Sequence, residues 1–273
     1  MLNAINLLDV ITISIKAGEQ IIDVYNSDFA VENKEDQSPL TLADKKSHEV
    51  IASELSRLFP EIPILSEEGQ HLPYEERKDW EYLWIVDPLD GTKEFVKRNG
   101  EFTVNIALVH KGYPVLGVIY APVLNTIYFA KEGAGSFKIE GMDTMSFQNE
   151  AEVLSNAEKL SAVELNKEMA AVASRSHMSP ETEEYMNEVK KKYGDVTITS
   201  AGSSLKLCLV AEGKADVYPR FAPTMEWDTA AGQAIVEQAG GKVIQADSKE
   251  RLSYNKDNLL NPWFIVKKAS LMV

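Results

Sequence analysis

Asp87-Pro88-Leu89-Asp90-Gly91-Thr92 sets two carboxylates around a Pro-Leu pair directly after the apolar run Leu83-Trp84-Ile85-Val86, and Ser66-Glu67-Glu68 follows Ile62 to Leu65 in the same way. Both apolar runs are short and rich in β-branched or aromatic residues, the pattern of buried strands. If those strands are parallel, Glu67, Asp87 and Asp90 leave the sheet on one side. Like charges gathered there repel, and hard divalent cations relieve the repulsion, because carboxylate and carbonyl oxygens suit Mg²⁺ or Mn²⁺. Paired cations of this kind serve phosphoester cleavage. A plainer reading exists for each piece: Asp90-Gly91 is a hairpin-turn dipeptide and Pro88 ends a strand whatever the function. A surface turn needs only one acid, however, and two are present here.

Two further acidic segments follow the same logic. In Glu226-Trp227-Asp228-Thr229-Ala230-Ala231-Gly232, Asp228 falls at the start of a predicted helix, where capping alone explains an Asp. In Thr41-Leu42-Ala43-Asp44, ahead of the helix running toward Phe59, the spacing resembles a capping box after the turn residues Ser38-Pro39.

The elements that must position these acids are legible as periodicity. Helical spacing covers residues 3 to 26 and 42 to 59, and strand-like runs follow at 62–66, 82–87, 102–109, 115–121 and 126–131. Lys111-Gly112-Tyr113-Pro114 and Gly133-Ala134-Gly135 mark an antiparallel meander. After a strand at 169–174 the elements alternate: helix 180–193, strand 196–200, helix 203–213, strand 215–218, helix 228–239 and strand 242–246. We therefore expect an N-terminal α+β lobe over 1–150 with a mixed sheet, and a smaller α/β lobe over 151–273, with a cleft between them.

At 273 residues and 44 % hydrophobic, the chain can bury a sizeable core. Cys208, between Leu207 and Leu209, is the one cysteine and reads as a buried small hydrophobe, which excludes disulfides and thiolate metal sites; four scattered histidines argue against zinc. The net charge of −14 argues against nucleic-acid binding by a basic surface. An anionic substrate would need bound cations and chosen basic residues to reverse the local field. Met1 to Asn26 carries Asn3, Asn6, Asp9, Lys16 and Glu19 among apolar residues, so it reads as an amphipathic helix, not a signal peptide, and a cytoplasmic location is expected. Peripheral attachment to the cytoplasmic side of an inner membrane is conceivable, but no lipidation motif or basic amphipathic helix supports it. Trp80, Trp84 and Trp263 read as packing, Lys190-Lys191-Lys192 as the polar end of a helix, and Gly240-Gly241 as a helix C-cap.

Taken together, Asp87 to Thr92, Glu67-Glu68 and Trp227 to Gly232 resemble the signature of the Mg²⁺-dependent, lithium-sensitive phosphomonoesterases that include inositol monophosphatase and fructose-1,6-bisphosphatase. The resemblance covers nearly the whole chain. Lys93-Glu94-Phe95, Arg98 to Asn105, Ser174-Arg175-Ser176-His177, Gly202-Ser203-Ser204-Leu205-Lys206 and Tyr218-Pro219-Arg220-Phe221 are similar to the bacterial bisphosphate nucleotidases of sulfur assimilation within that superfamily. The resemblance implies an α/β (α+β) fold, a layered αβαβα sandwich of two lobes with the active site between them.

It also implies roles. Glu67, Asp87, Asp90 and Asp228 would be side-chain ligands of two or three Mg²⁺ ions, with Mn²⁺ as a substitute, Asp87 bridging two of them and the Leu89 carbonyl completing the set. Thr92 would hold the attacking water, Asp44 would accept a hydrogen bond from Thr92, and Glu67 would help activate that water. The N–H groups of Gly91 and Thr92 would cradle the phosphate. Glu67, Leu89, Asp90, Gly91, Thr92 and Asp228 would thus all meet the substrate, a small bisphosphate nucleotide. Lys206 would contact its 5′-phosphate or ribose, with Ser174, His177 and Gly202 around the nucleoside. Against these stand a solvated helical lysine for Lys206 and a helix-start residue for His177. The expected reaction is conversion of adenosine 3′,5′-bisphosphate to AMP and phosphate, and likewise removal of the 3′-phosphate of the sulfated nucleotide, with no nucleic-acid partner and no obligatory protein partner. Inositol monophosphatase is the enzymatic alternative. A nucleotide sensor that binds without cleaving is the alternative of another class, and the completeness of the acid set weighs against it.

Overall fold

The computed structural model describes residues 1–27, 39–70, 72–141, 147–173 and 179–272. After a 3₁₀ turn at Leu2–Ala4 come two long helices, α1 (Leu7–Tyr25) and α2 (Pro39–Leu58). Asn6 caps α1 by accepting the Leu8 N–H, and Leu7, Val10, Ile11, Ile21 and Val24 are among the residues buried along the helix. α2 begins two residues before Thr41, so Thr41 and Asp44 lie inside the helix and form no capping box. Pro39 takes the first helical position, where its missing N–H costs nothing, and this moves the start upstream of the expected one.

The first sheet is built from β1 (Ile64–Ser66), β2 (Tyr82–Asp90), β3 (Thr103–His110), β4 (Tyr113–Ala121), β5 (Thr126–Lys131), β6 (Gly135–Glu140) and β7 (Glu158–Lys159), in sequential order. Short helices α3 (Tyr74–Arg77), α4 (Thr92–Val96) and α5 (Glu150–Asn156) intervene. β1 and β2 run parallel, Ser66 opposite Val86, so Glu67 and Asp87 emerge at the same end. The remaining pairings are antiparallel, and the expected meander extends to β7.

The second sheet combines β8 (Met169–Val172), β9 (Val196–Thr199), β10 (Val217–Arg220), β11 (Lys242–Gln245) and β12 (Phe264–Lys267) in the order β11-β12-β10-β8-β9. Its helices are α6 (Pro180–Tyr193), α7 (Leu205–Ala211) and α8 (Ala230–Gln238). β8, β9 and β10 are mutually parallel, while β12 inserts antiparallel between β10 and β11.

α1 and α2 cover one face of the first sheet, α7 and α8 lie between the sheets, and α6 covers the outer face of the second, giving five layers, αβαβα. β2 is consequently buried on both faces and reads as an unbroken apolar run. Trp84 and Val86 enter the core under α1 and α2, whereas Leu83 and Ile85 enter the core with α7 and α8, as strand alternation requires. Trp84 is fully buried and Trp80 packs on the inner core. Trp263, expected as packing, is instead 42 % exposed. It precedes β12 and lies against Phe221 at the rim. Among the described residues no helix is long and apolar enough to cross a membrane.

Candidate active site

Asp87 and Asp90 are three positions apart, and in a regular strand that spacing would aim them at opposite faces. The ladder between β2 and β3 slips here: Asp87 pairs with Asn105 and Asp90 with Thr103, so three steps on β2 oppose two on β3. Pro88, without an N–H to contribute, falls in this bulge. The extra residue restores the parity of the two acids and turns both toward the same side. Leu89 points its side chain into the core under α1 and α2. The bulge is fastened from that side, Ser47 of α2 donating its hydroxyl to the Pro88 carbonyl at 2.7 Å.

The acids share one electrostatic field. The Asp87 carboxyl stands well above the ordinary range, raised first by burial and then by the charges of Asp90, Glu67, Asp228 and Asp44. Asp44, on the buried face of α2, is pushed up to about 8 by burial and then by Glu68 and Glu67. Asp228 is pushed up to about 7 by burial and then by Asp90. Burial also raises Asp90, opposed by the Lys206 charge and a hydrogen bond from Ser204. The structure thus brings together Asp44, Glu67, Asp87, Asp90 and Asp228 from both sheets.

Asp228 is not a helix cap. α8 starts at Ala230 with Thr229 before it, and the Asp228 carboxylate instead accepts the Met225 N–H at 2.9 Å, closing its own turn. Glu226 beside it holds the fold together. Fully buried, it pairs with Lys256 at 2.6 Å and accepts the N–H groups of Asn255 and Lys256.

Two residues without an expected role join the halves of the site. Ser204 Oγ lies 2.7 Å from Asp90 Oδ2 and 2.8 Å from the Asp228 carbonyl oxygen. Asn105, facing Asp87 across the ladder, donates to Ser204 Oγ at 2.8 Å. The turn that delivers Ser204 is crowded: a Cβ on Gly202 would come within 2.5 Å of Glu94 Cγ and 2.7 Å of the Glu101 carbonyl. Gly202 donates its N–H to the Glu101 carboxylate at 2.8 Å, and Ser203 takes a left-handed backbone with φ +44°. Gly202 is therefore a close-approach glycine beside the site.

Thr92 opens α4 and is exposed, and no hydrogen bond joins it to Asp44 among the described residues. Gly91 holds φ +95°, which turns the chain sharply from β2 into α4. Lys206 and Arg220 line one cavity of about 250 Å³ with Asp90, Gly91 and Asp228. Lys206 is half-buried, and burial lowers its amine. Arg220 donates to the Pro223 carbonyl at 3.0 Å, while its buried Nε has no partner among the described residues. Its signal in the sequence was an arginine just ahead of the Trp-Asp motif in an acidic chain. Ser174 and His177 lie outside the described residues. Cys208 is buried, as expected.

The donor set fits a hard cation. It is made of oxygen ligands alone, burial and then mutual repulsion raise Asp87 and Asp228, and among the described residues Asp44 Oδ1 is buried without a partner. Among the described residues no group of three or more His, Cys, Asp or Glu side chains is already arranged to hold an ion.

Comparison with known proteins agrees with this geometry. The model of the inositol monophosphatase family matches residues 6–269. The 3′(2′),5′-bisphosphate nucleotidase CysQ of Salmonella typhimurium (strain LT2) is 46 % identical over 252 residues, covering 92 % of this chain and 94 % of its own. The CysQ of Haemophilus influenzae is 36 % identical over 270 residues, 97 % of this chain and 93 % of its own. The crystal structure of CysQ from Bacteroides thetaiotaomicron, a bacterial member of the inositol monophosphatase family, is 52 % identical and superposes with a TM-score of 0.89 over 97 % of both chains. With the family pattern running from α1 to beyond β12 and acids of both lobes sharing one electrostatic field, this chain belongs to the inositol monophosphatase family.

Proposed function

We propose that this chain is a Mg²⁺-dependent 3′(2′),5′-bisphosphate nucleotidase that removes the 3′-phosphate of adenosine 3′,5′-bisphosphate, giving AMP and phosphate. The observation that carries the reading is the pairing of an acidic cluster with a cavity lined by three cationic residues, Lys93, Lys206 and Arg220, beside Asp90 and Asp228. A monophosphate needs the cluster alone; a second phosphate needs cations of the protein's own, and Lys206 and Arg220 supply them. The N-terminal lobe, 1–150, contributes Asp44, Glu67, Asp87, Asp90 and Thr92, and the C-terminal lobe, 151–273, contributes Asp228 and the nucleotide contacts, Gly202, Lys206, Ser174 and His177 among them.

Glu67, Asp87, Asp90, Asp228 and the Leu89 carbonyl would hold two or three Mg²⁺ ions, Mn²⁺ being an oxygen-seeking substitute and Li⁺ an inhibitor. When bound, the ions lower the pKa of water and neutralise charge on the leaving oxygen. The protein's own groups do the rest. Thr92 Oγ1 would position the attacking water and, in the loaded site, donate to Asp44, with which it shares no hydrogen bond here and whose Oδ1 is a buried acceptor without a partner among the described residues. Glu67 assists in taking the proton. The N–H groups of Gly91 and Thr92 orient the phosphate in line with the water. Lys206 and Arg220 hold the 5′-phosphate, and because they read charge at that end, the 5′-phosphosulfate of the sulfated nucleotide is accepted as well. Such an activity supports sulfur assimilation in the cytoplasm.

Phosphate release in Mg²⁺ from adenosine 3′,5′-bisphosphate and inositol 1-phosphate, side by side and with or without Li⁺, tests this reading. A strong preference for the nucleotide, abolished by chelation and depressed by Li⁺, is expected. Preference for the inositol ester would keep the acids and remove Lys206 and Arg220 from their roles; release from neither would favour a binding protein.

A further inference from the structure

We infer that the outer face of the second sheet carries a second site, one for a small organic polycation of the alkylamine type, and this goes beyond the reading of the aspartate cluster. α6 presents Glu181, Glu184 and Glu188 at intervals of three and four, which puts them on one helical stripe. Asp247, just beyond β11, faces that stripe across a cavity of about 350 Å³. None of the four carboxylates takes part in an ion pair among the described residues. Among the described residues Lys249 is the one cation on the lining, which gives the cavity's described lining an excess of three negative charges in a protein of net charge −14.

An acidic stripe alone would be solvated surface, but the other wall of this cavity is aromatic. Trp263 is 42 % exposed, and its ring lies 5.7 Å from that of Phe221. Phe221 in turn meets Tyr185 edge-on at 5.8 Å, and all three rings line the cavity. Tyr185 is only 7 % exposed, yet among the described residues its hydroxyl has no hydrogen-bond partner. A buried, unsatisfied hydroxyl costs stability, and an ammonium donating to its oxygen would remove that cost.

Aromatic faces attract cations that shed water easily, and carboxylates strung along a helix match ammonium groups separated by short alkyl segments. A divalent metal is a poor fit, since it wants converging oxygens and the aromatic wall offers none. An anionic ligand is excluded by the sign of the field.

The test is calorimetric titration of the full chain with spermidine at fixed ionic strength in saturating Mg²⁺, which keeps the amine off the aspartate cluster, together with tryptophan emission as a report on Trp263. The expected result is saturable binding of one spermidine with a change in emission, competed by tetramethylammonium. Trp263→Leu, and separately Glu184→Gln with Glu188→Gln, should each weaken binding by about tenfold or more while phosphate release is kept. Absence of saturable heat, parent-like affinity in both variants, or equal displacement by NaCl at the same ionic strength would each overturn the site. None of these outcomes touches the nucleotidase reading, which the phosphate-release assay tests separately.

Discussion

Two groups of buried carboxylates occupy this molecule, and the protein treats them in opposite ways. Asp216 and Glu226 are fully buried, and each has a lysine: Lys268 at 3.0 Å from Asp216, Lys256 at 2.6 Å from Glu226. Backbone amides complete both, Asn166 and Ala170 donating to Asp216, and Asn255 and Lys256 donating to Glu226. Asp87, Asp44 and Asp228 have no such lysine; their carboxyls are lifted by burial and by one another. Acids that hold the fold are neutralised inside the chain, whereas acids that would do chemistry are left for something outside it to neutralise.

The contrast breaks most sharply at the second group. Asp90→Asn and Asp228→Asn should lower kcat on the order of a thousandfold or more, measured as phosphate release in Mg²⁺, while the metal-free variants melt no lower than the parent because a repulsive charge has gone. A destabilised Asp228→Asn protein would mean that its turn, closed on the Met225 N–H, matters more than the repulsion.

The first group should respond in the reverse sense. Lys268→Met strands the Asp216 charge in the interior and should cost about 3–5 kcal/mol in urea unfolding, with kcat of the remaining folded protein unchanged. A loss under about 1 kcal/mol would show that the amides of Asn166 and Ala170 suffice for Asp216.

At the boundary between the groups stand Lys206 and Arg220, two of the cations of the cleft. Lys206→Ala and Arg220→Ala should each raise KM for adenosine 3′,5′-bisphosphate by about tenfold to a hundredfold and leave a monophosphate substrate nearly unaffected. An unchanged KM for the bisphosphate removes that residue from the substrate.

The same contrast should show, without any substitution, as a dependence of stability on pH. Asp44 and Asp228 bind protons more tightly folded, with pKa values of about 8 and about 7, than unfolded, near 4. Between those limits the folded state holds more protons, so the metal-free protein should lose stability as pH rises from about 4 to 8. Melting temperatures across that range should fall without Mg²⁺ and flatten with it. A flat profile without the ion would contradict the shared field.

Much of this was readable before the fold. The acids announced themselves because they follow apolar runs, and β1 to β5 announced themselves because a sheet covered on both faces needs continuous hydrophobic strands. What escaped was non-local. β12 has four residues and exists because β10 and β11 flank it. Ser204, Asn105 and Asp90 meet across separations of 99 and 114 residues, and nothing in Gly-Ser-Ser or Val-Asn-Ile hints at it. The plainer capping alternatives for Thr41, Asp44 and Asp228 failed for a related reason: α2 starts upstream of Thr41, which makes a cap an interior position, and α8 starts after Thr229, which leaves Asp228 ahead of the helix.

The slip between β2 and β3 makes chain length, more than residue identity, the carrier of information at the site. Removing either Pro88 or Leu89 would cancel the extra step, return the strand to its frame and send the following carboxylate through the sheet toward the helices α1 and α2. Replacing the same residues one for one keeps the frame. The segment behaves like a reading frame, tolerant of letters and intolerant of deletions.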